Sequence, residues 1–222
     1  MSNRGLVIFG AGQIAEVMHY YLTTEGGREV VAFTVDREYR TADTVLGVPV
    51  VDFEDIEQRF PPADYDMFVA VSFKQVNKLR MAKVAEAEAK GYALASHVSP
   101  RAAVWNGFVA HPNTIIMEHN VIQPFVTVGR NVTMWSGNHI GHHTNIGDNC
   151  FIASQVVVSG ACDIGAGTFI GVNATLRDGI KLGVHSVVGA GALVLADGPD
   201  EAVFIGTAAE LKKIPSSRLR SI

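Results

Sequence analysis

The chain has 222 residues, enough for one large domain or for two small ones that each bury a core. Its net charge of -4 argues against a nucleic-acid partner, because such proteins usually present a basic surface. Two cysteines are too few for a disulfide scaffold, and no apolar run of about 18 residues could span a membrane. Because the amino terminus also lacks an export signal, we expect a cytoplasmic protein that acts on small molecules, without membrane insertion.

Residues 1–98 alternate predicted strands and helices. The pattern predicts strands at residues 6–9, 30–33, 65–71 and 92–98 and helices after residue 12 and over 75–90. This order is typical of a small α/β, Rossmann-like domain. Ser99-Pro100 marks its end, because the residue before proline is driven out of the helical conformation.

A glycine-rich turn follows the first predicted strand. Gly10-x-Gly12-x-x-Ala15, with Asp36 further on, is similar to a dinucleotide fingerprint, and the helix that it opens could hold a phosphate on its free N–H groups. About 98 residues leave no room for the substrate domain of a dehydrogenase. A nucleotide-linked ligand is therefore expected here, rather than a hydride carrier.

From Val104 to Val194 every sixth residue is apolar. The sixteen members of this series are Val104, Ala110, Ile116, Ile122, Val128, Met134, Ile140, Ile146, Ile152, Val158, Ile164, Ile170, Leu176, Leu182, Val188 and Val194. Seven of them are followed by glycine, which suits a tight corner at positive φ. Period six fits strands and not helices, so residues 99–206 are predicted to form a parallel β-helix with three hexads in each 18-residue coil. Residues 207–222 are expected to form a tail with a short cap at 210–213.

Residues 18 apart should stack on successive coils at about 4.8 Å. One such column holds His142, Gly160 and Asp178, and a second holds Ser136, Ser154, Val172 and Ala190. An exposed histidine beside a bare glycine backbone suggests a general base next to an N–H donor for an oxyanion. The alternatives are a solvated histidine and a zinc site with His139 and His143, although strand alternation would separate those imidazoles.

Two further pairs are expected to be structural. Asn120 and Asn138 are 18 residues apart at an inward position, which predicts a stacked amide ladder inside the coil. Cys150 and Cys162 share the inward position and are expected to be core residues rather than nucleophiles.

Four segments, FGAGQIAE, HVSPRA, HHTNIGDN and VFIGTAAE, resemble those of bacterial hexapeptide-repeat sugar acyltransferases. This family includes N-acetyltransferases of nucleotide-linked 4-amino sugars and proteins labelled sialic acid O-acetyltransferase. The resemblance implies an α/β Rossmann-like domain followed by an all-β left-handed parallel β-helix. It also implies a homotrimer with active sites between subunits, acetyl-CoA as cosubstrate, a nucleotide-linked amino sugar as acceptor, and no metal.

By position, the resemblance implies that His142 is the base and that the amide of Gly160 contacts the thioester. It places CoA along Phe151, Gly160, Val172 and Ala190. It places the nucleotide near Gly12, Gln13, Asp36 and Arg37. Two departures stand out. His143 occupies the position of the family's usual acid and is a further catalytic candidate, and Ile14 replaces a frequent histidine of the glycine loop.

The expected reaction is transfer of an acetyl group from acetyl-CoA to the amino group of a nucleotide-linked amino-deoxy sugar, by direct attack on the thioester. The alternatives are O-acyl transfer or transfer of a longer acyl chain on the same scaffold, a noncatalytic trimeric binding protein, and a nicotinamide-binding regulator. The sequence does not specify the sugar or the nucleotide.

Overall fold

The structure is a computed structural model that describes residues 4–211 and 215–218. Its amino-terminal unit is built on a six-stranded sheet. The strands are β1 (Gly5–Phe9), β2 (Val30–Val35), β3 (Thr44–Val45), β4 (Val48–Asp52), β5 (Tyr65–Val69) and β6 (Ala93–Leu94). Their order is β3-β4-β2-β1-β5-β6, and all neighbours are parallel except β3 and β4.

Helices cover both faces of this sheet. They are α1 (Gln13–Tyr20), which continues into a π-helical turn (Tyr21–Glu25), α2 (Ile56–Arg59) and α3 (Lys78–Ala89), with 3-10 turns at Arg37–Tyr39, Phe53–Asp55 and, in the tail, Ser216–Arg218. Ile8 of β1 packs in one cluster with Met18 of α1, whereas Val7 packs in another with Val84 of α3. Because successive strand residues point to opposite faces, α1 and α3 lie on opposite sides of the sheet.

The structure departs from the predicted elements at several points. Helix α3 begins at Lys78 rather than at residue 75, because Gln75, Val76 and Asn77 all adopt positive φ (54°, 51° and 66°). The short strands β3 and β4 were not expected. The predicted strand over 92–98 is divided into β6 and His97–Val98, and only the first belongs to this sheet.

The carboxy-terminal half is a parallel β-helix of two-residue strands in three sheets. The domain-facing sheet consists of His97–Val98, Ile115–Ile116, Thr133–Met134, Phe151–Ile152, Phe169–Ile170, Val187–Val188 and Val203–Phe204. The apolar sheet consists of Ala103–Val104, Val121–Ile122, His139–Ile140, Val157–Val158, Thr175–Leu176 and Leu193–Val194. The polar sheet consists of Thr127–Val128, Asn145–Ile146, Asp163–Ile164 and Lys181–Leu182.

The strand register follows the predicted 18-residue coil. His139 pairs with Val157, and Asn145 pairs with Asp163, each 18 residues on. Inside the coil, the apolar hexad residues from Ile116 to Val194 are buried, while Val104 and Ala110 are half-buried at the first coil. Cys150 and Cys162 lie in this core, and burial raises the pKa of the Cys150 thiol to about 12.

The predicted reason for the corner glycines is wrong. Positive φ occurs two residues later, as at His143 (58°), and not at the glycines that follow the apolar residues. A Cβ on Gly141 would instead lie 2.5 Å from the backbone nitrogen of Gly160, and one on Gly147 would lie 2.7 Å from that of Ala166. Glycine is needed at these corners because adjacent coils approach closely.

The predicted amide ladder of Asn120 and Asn138 is also wrong, because each of these side chains bonds to backbone groups. The ladder that does form runs through Asn113, Asn131 and Asn149, with Nδ2 to Oδ1 distances of 2.8 Å at both steps. Asn113 also exchanges hydrogen bonds with the backbone of Val69 in β5. The ladder therefore joins the β-helix to the amino-terminal unit.

A buried arginine also joins the two halves. Arg80 of α3 is 1% exposed, and its guanidinium donates to Thr133 Oγ1 and to the carbonyls of Asn149 and Cys150. Burial lowers its pKa to about 10. The amino-terminal unit thus covers the outward surface of the domain-facing sheet.

The other two sheets face outward, and no layer of the described residues covers them. The apolar sheet presents Val121, Val157 and Leu193, which are 40%, 39% and 64% exposed. On the polar sheet, Thr127 donates to Asn145, which donates to Asp163. One face of the β-helix is therefore hydrophobic and its neighbour is hydrophilic.

Beyond the last coil, Glu210 and Leu211 are not helical, and the rest of the predicted cap over 210–213 lies outside the described residues. Within residues 4–211 and 215–218, no helix is long and apolar enough to cross a membrane.

Candidate active site

His142 lies on the corner, residues 141–144, that joins the apolar sheet to the polar sheet. Its backbone N–H donates to Gln123 Oε1 of the preceding coil at 2.9 Å, which fixes the corner, while its side chain is exposed. A histidine held in this way has a fixed backbone and a ring open to ligands.

The imidazole of His142 lies against Gly160, as the 18-residue register requires. A Cβ on Gly160 would be 2.7 Å from Cε1 and 2.8 Å from Nε2 of His142. Gly160 therefore makes room for the ring, and any side chain at this position would displace it.

The N–H of Gly160 is not a free donor. It donates to Asp178 Oδ1 of the following coil at 3.0 Å. Aspartates cap backbone amides elsewhere in the β-helix in the same way, for example Asp148 on the N–H of Arg130. The expectation of an open oxyanion donor at Gly160 is thus corrected, because the carboxylate must move before this amide can bind an acyl oxygen.

His143 contacts the side chain of His142 directly. The two Nδ1 atoms are 3.1 Å apart, and the ring planes are nearly perpendicular, at 84°. The other neighbour of His143 is Phe125 on the preceding coil, with ring centroids 4.7 Å apart, and Phe125 in turn lies 5.7 Å from Trp105. An aromatic row therefore leads along the β-helix to the pair of histidines.

Val172 and Ala190 occupy the corner column between the domain-facing and apolar sheets. Val172 is 44% exposed, Ala190 is exposed, and Ser136 and Ser154 of the same column are half-buried. This column lies on the opposite edge of the apolar sheet from His142. One chain therefore does not bring Val172 and Ala190 to the side of Gly160.

The expected role of Phe151 in cofactor binding is corrected by its burial. Its side chain is 3% exposed, between the rings of Phe73 and Phe169 and the guanidinium of Arg80. A side chain enclosed by its own chain has no surface to offer CoA, so Phe151 serves the contact between the two halves.

Asp36 lies in a cavity of about 230 Å³ at the carboxyl ends of the parallel strands. The cavity is lined by Phe9, Val35, Asp36, Tyr39, Val71, Lys74, Leu79 and Lys83. Lys83 Nζ donates to Asp36 Oδ1 at 2.8 Å. Burial alone would lower the pKa of Lys83, but its hydrogen bonds to Asp36 and Glu86 raise it. Sequence reasoning missed Lys74 and Lys83, although Lys74 follows β5 at the edge where parallel sheets bind ligands.

The other residues predicted to contact the nucleotide, Gly12, Gln13 and Arg37, have different surroundings. Gly12 and Gln13 are exposed at the start of α1, where backbone N–H groups are free of helical partners. The glycine that the fold requires is Gly10, at φ 117°, whose Cβ would lie 2.9 Å from the carbonyl of Ala70. The expected role of Arg37 in nucleotide binding is corrected. Its guanidinium pairs with Asp52 and Asp55 and does not line the cavity beside Asp36.

Within one chain, the cavity beside Asp36 and His142 remain apart. Among the described residues, no hydrogen bond, ion pair or ring contact links His142 to the amino-terminal unit. The part of the chain that the structure describes also contains no cluster of three or more histidine, cysteine, aspartate or glutamate side chains placed to hold a metal ion.

Comparison with known proteins bears on this arrangement. Residues 163–196 match the model of a family described as hexapeptide repeat of succinyl-transferase. The acetyltransferase domain of PglB from Neisseria gonorrhoeae FA1090 has a TM-score of 0.81 at 26% identity, covering 92% of this chain and 97% of that one. A histidine-to-asparagine variant of perosamine N-acetyltransferase from Caulobacter crescentus, solved with CoA and GDP-perosamine, has a TM-score of 0.83 at 27% identity, covering 96% of this chain and 99% of that one.

The chain carries a hexapeptide repeat and is built like these sugar N-acetyltransferases. The resemblance inferred from the sequence motifs is thereby confirmed. Among curated relatives, an acyl-[acyl-carrier-protein]--UDP-N-acetylglucosamine O-acyltransferase from Campylobacter concisus is 40% identical over 76 residues, which is 34% of this chain and 27% of that protein. The chain spans about a quarter of the length of the curated relatives that it matches.

Proposed function

We propose that this protein transfers the acetyl group of acetyl-CoA to the amino group of a nucleotide-linked amino-deoxy sugar. The observation that supports the proposal most strongly is the imidazole of His142, exposed at a β-helix corner and seated against the bare backbone of Gly160. Similarity along nearly the whole chain to an N-acetyltransferase that was solved with CoA and GDP-perosamine supports the same substrates.

His142 acts as the general base in this reaction. As the acceptor nitrogen attacks the thioester carbon, Nε2 of His142 takes a proton from that nitrogen, and the protonated ring then returns it to the departing CoA thiolate. The Gly160 N–H stabilises the tetrahedral oxyanion once the acyl oxygen has displaced the carboxylate of Asp178. No acyl-enzyme is formed.

The active site is shared between subunits of a homotrimer. His142 and the column of Val172 and Ala190 lie on opposite edges of the apolar sheet. In a three-fold arrangement built on the exposed apolar residues of that sheet, one edge of each subunit meets the other edge of the next. This contact would bring CoA, bound along Val172 and Ala190 of one subunit, to His142 of its neighbour. We infer a left-handed coil for the β-helix, as the resemblance to hexapeptide-repeat sugar acyltransferases implies.

The nucleotide binds to the amino-terminal unit, which works as a Rossmann-like domain. The cavity beside Asp36 lies at the carboxyl ends of the central strands β1 and β5. The chain leaves β1 toward β2 on one side and leaves β5 toward β6 on the other. Sheets of this kind usually bind ligands at such a reversal of strand order. Lys74 and Lys83 supply positive charge for a diphosphate, and the free N–H groups at Gly12 and Gln13 add donors at the start of α1. Asp36 provides an acceptor for a ribose or base.

The test is release of the CoA thiol from acetyl-CoA over a panel of nucleotide-linked amino sugars, with mass spectrometry of the product. N-acetylation of one of these sugars is expected. Release only with hydroxyl acceptors, or only with longer acyl-CoAs, would replace this proposal by O-acyl or long-chain transfer. No release and no acyl-CoA binding by calorimetry would overturn the acyltransferase assignment.

Subunit mixing tests the shared site. His142→Ala and Val172→Trp should each be inactive alone. If subunits mix at random, their equimolar mixture should regain about a quarter of the wild-type activity, because some interfaces then combine an intact His142 with an intact Val172. A mixture as inactive as its parents would place both residues in one subunit's site.

A further inference from the structure

Only one hydrogen fits between the facing Nδ1 atoms of His142 and His143. Nδ1 of each ring faces Nδ1 of the other at 3.1 Å, so one nitrogen must carry hydrogen and the other must accept it. This choice decides the chemistry of His142. A ring protonated at Nδ1 has a free lone pair on Nε2, whereas a ring protonated at Nε2 has none there.

We propose that neutral His143 is the positioning residue for His142: its Nδ1 accepts a hydrogen bond from the Nδ1–H of His142 and so keeps Nε2 of His142 free to accept a proton. This inference rests on the proposed function and deepens it. It assigns to an imidazole the orienting task for which catalytic histidines commonly use a carboxylate.

The surroundings of His143 hold its ring in place for this task. The ring packs against Phe125 of the preceding coil, with centroids 4.7 Å apart and the ring planes tilted by 39°, and the backbone adopts φ 58°. Residues 18 before and after share this conformation, Phe125 at 68° and Ala161 at 56°. Phenylalanine and alanine therefore fit the backbone at position 143, which makes both substitutions usable as probes.

The position of His142 agrees with a free Nε2. No hydrogen-bond partner for Nε2 exists among the described residues, and that atom would lie 2.8 Å from a Cβ on Gly160. The groups around the pair are the Gln123 amide, the Phe125 ring and the Gly160 backbone, with Asp178 held on the Gly160 N–H. Nδ1 of His143 is thus the ring acceptor that this chain offers to His142.

The direct test is nitrogen NMR of the protein labelled in its histidines, without substrate. An imidazole free in water favours the tautomer with hydrogen on Nε2, so hydrogen on Nδ1 of His142 would be a departure that needs a partner. The inference predicts the Nδ1–H form for His142 in the wild type. It predicts a return to the Nε2–H form in His143→Phe and His143→Ala, and retention of the Nδ1–H form in His143→Asp, whose carboxylate also accepts.

Kinetics provide the second readout. His143→Phe and His143→Ala should lower kcat by roughly 10- to 100-fold with little change in KM, and His143→Asp should restore much of it. Circular dichroism and melting curves check that each variant folds, and two dissimilar variants guard against one misfolded protein.

The outcomes separate this inference from the proposed function. If wild-type His142 carries its hydrogen on Nε2, or if its tautomer is unchanged in both His143→Phe and His143→Ala, the inference is wrong even if the protein is an acetyltransferase. If no acceptor sugar is acetylated but the tautomer changes as described, the proposed function fails and the pairing of the histidines stands.

Discussion

The ring of His142 fills the space that a side chain on Gly160 would need, with Cε1 of the histidine 2.7 Å from the position of a Cβ on the glycine. A three-hexad coil places these residues one above the other, and the lack of a side chain on the second determines where the first can lie. Position 160 therefore controls where the His142 ring lies without contacting it through a side chain.

Gly160→Ala should reduce turnover while leaving stability nearly intact. The added methyl group displaces the His142 ring, which can swing into solvent, so kcat should fall about 10-fold or more while the melting temperature changes by only a few degrees. Ala166→Ser, at the same hexad position on another corner, is the control and should behave as wild type. A kcat for Gly160→Ala equal to that of the wild type would show that the packing of His142 against Gly160 is unimportant for turnover.

Asp178→Ala should raise kcat/KM for acetyl-CoA by a few-fold. Removing the carboxylate frees the Gly160 N–H and also removes a negative charge beside the developing oxyanion. Asp148→Ala removes the same type of cap, from Arg130 on another corner, and should change only stability. A large loss of activity in Asp178→Ala alone would mean that Asp178, and not a freed Gly160 amide, serves the reaction.

Arg80→Ala should destabilise the protein by about 3 kcal/mol, because it removes the donor to the Asn149 carbonyl and to Thr133 Oγ1 and opens a cavity. The Cys150 carbonyl keeps its hydrogen bond from the N–H of Thr133. Arg80→Met fills most of the volume and should cost less. Urea unfolding followed by circular dichroism measures both. If Arg80→Ala unfolds at the wild-type midpoint, the guanidinium does not hold the two halves together.

Tyr21 should make the protein less stable at alkaline pH. Burial, followed by the hydrogen bond and the charge of Glu118, raises the pKa of Tyr21 to about 12 from 10. Since the folded state holds this proton more tightly, the stabilisation is complete below pH 10 and is lost as the pH rises toward 12. Tyr21→Phe should therefore show a shallower loss of stability between these values. Identical alkaline slopes for the two proteins would contradict the assignment.

The six-residue period of the sequence predicted which residues stack on successive coils, because stacking depends on the period alone. A repeat of six fixes which residues stack, so the pairs His142–Gly160 and Val172–Ala190 could be read from their numbers. It could not show that the Gly160 amide is already bonded to Asp178, because that depends on the rotamer of a side chain one coil away. Phe151 was misjudged for a similar reason. Its strand position was correct, but the helix and loop of another unit cover it.

In the amino-terminal unit, the local sequence pattern predicted the helices and strands better than it predicted the ligand-contacting residues. Three successive residues at positive φ, Gln75 to Asn77, shortened α3 against its helical propensity, because Asn77 bonds to the backbone of Gly167 in the β-helix. Arg37 was expected at the nucleotide, yet neighbouring carboxylates hold it away. Lys83 reaches the cavity from α3. The sequence alone could not show which face of this helix packs on the sheet.

The central claim is that His142 is the general base of an acetyl transfer. The most direct measurement is kcat for CoA release by wild type and His142→Asn with a saturating nucleotide-linked amino sugar, alongside calorimetry of acetyl-CoA binding to both. If His142 is the base, kcat should fall by roughly 10² to 10⁴ while acetyl-CoA binding is retained. Near-normal turnover in His142→Asn would contradict it.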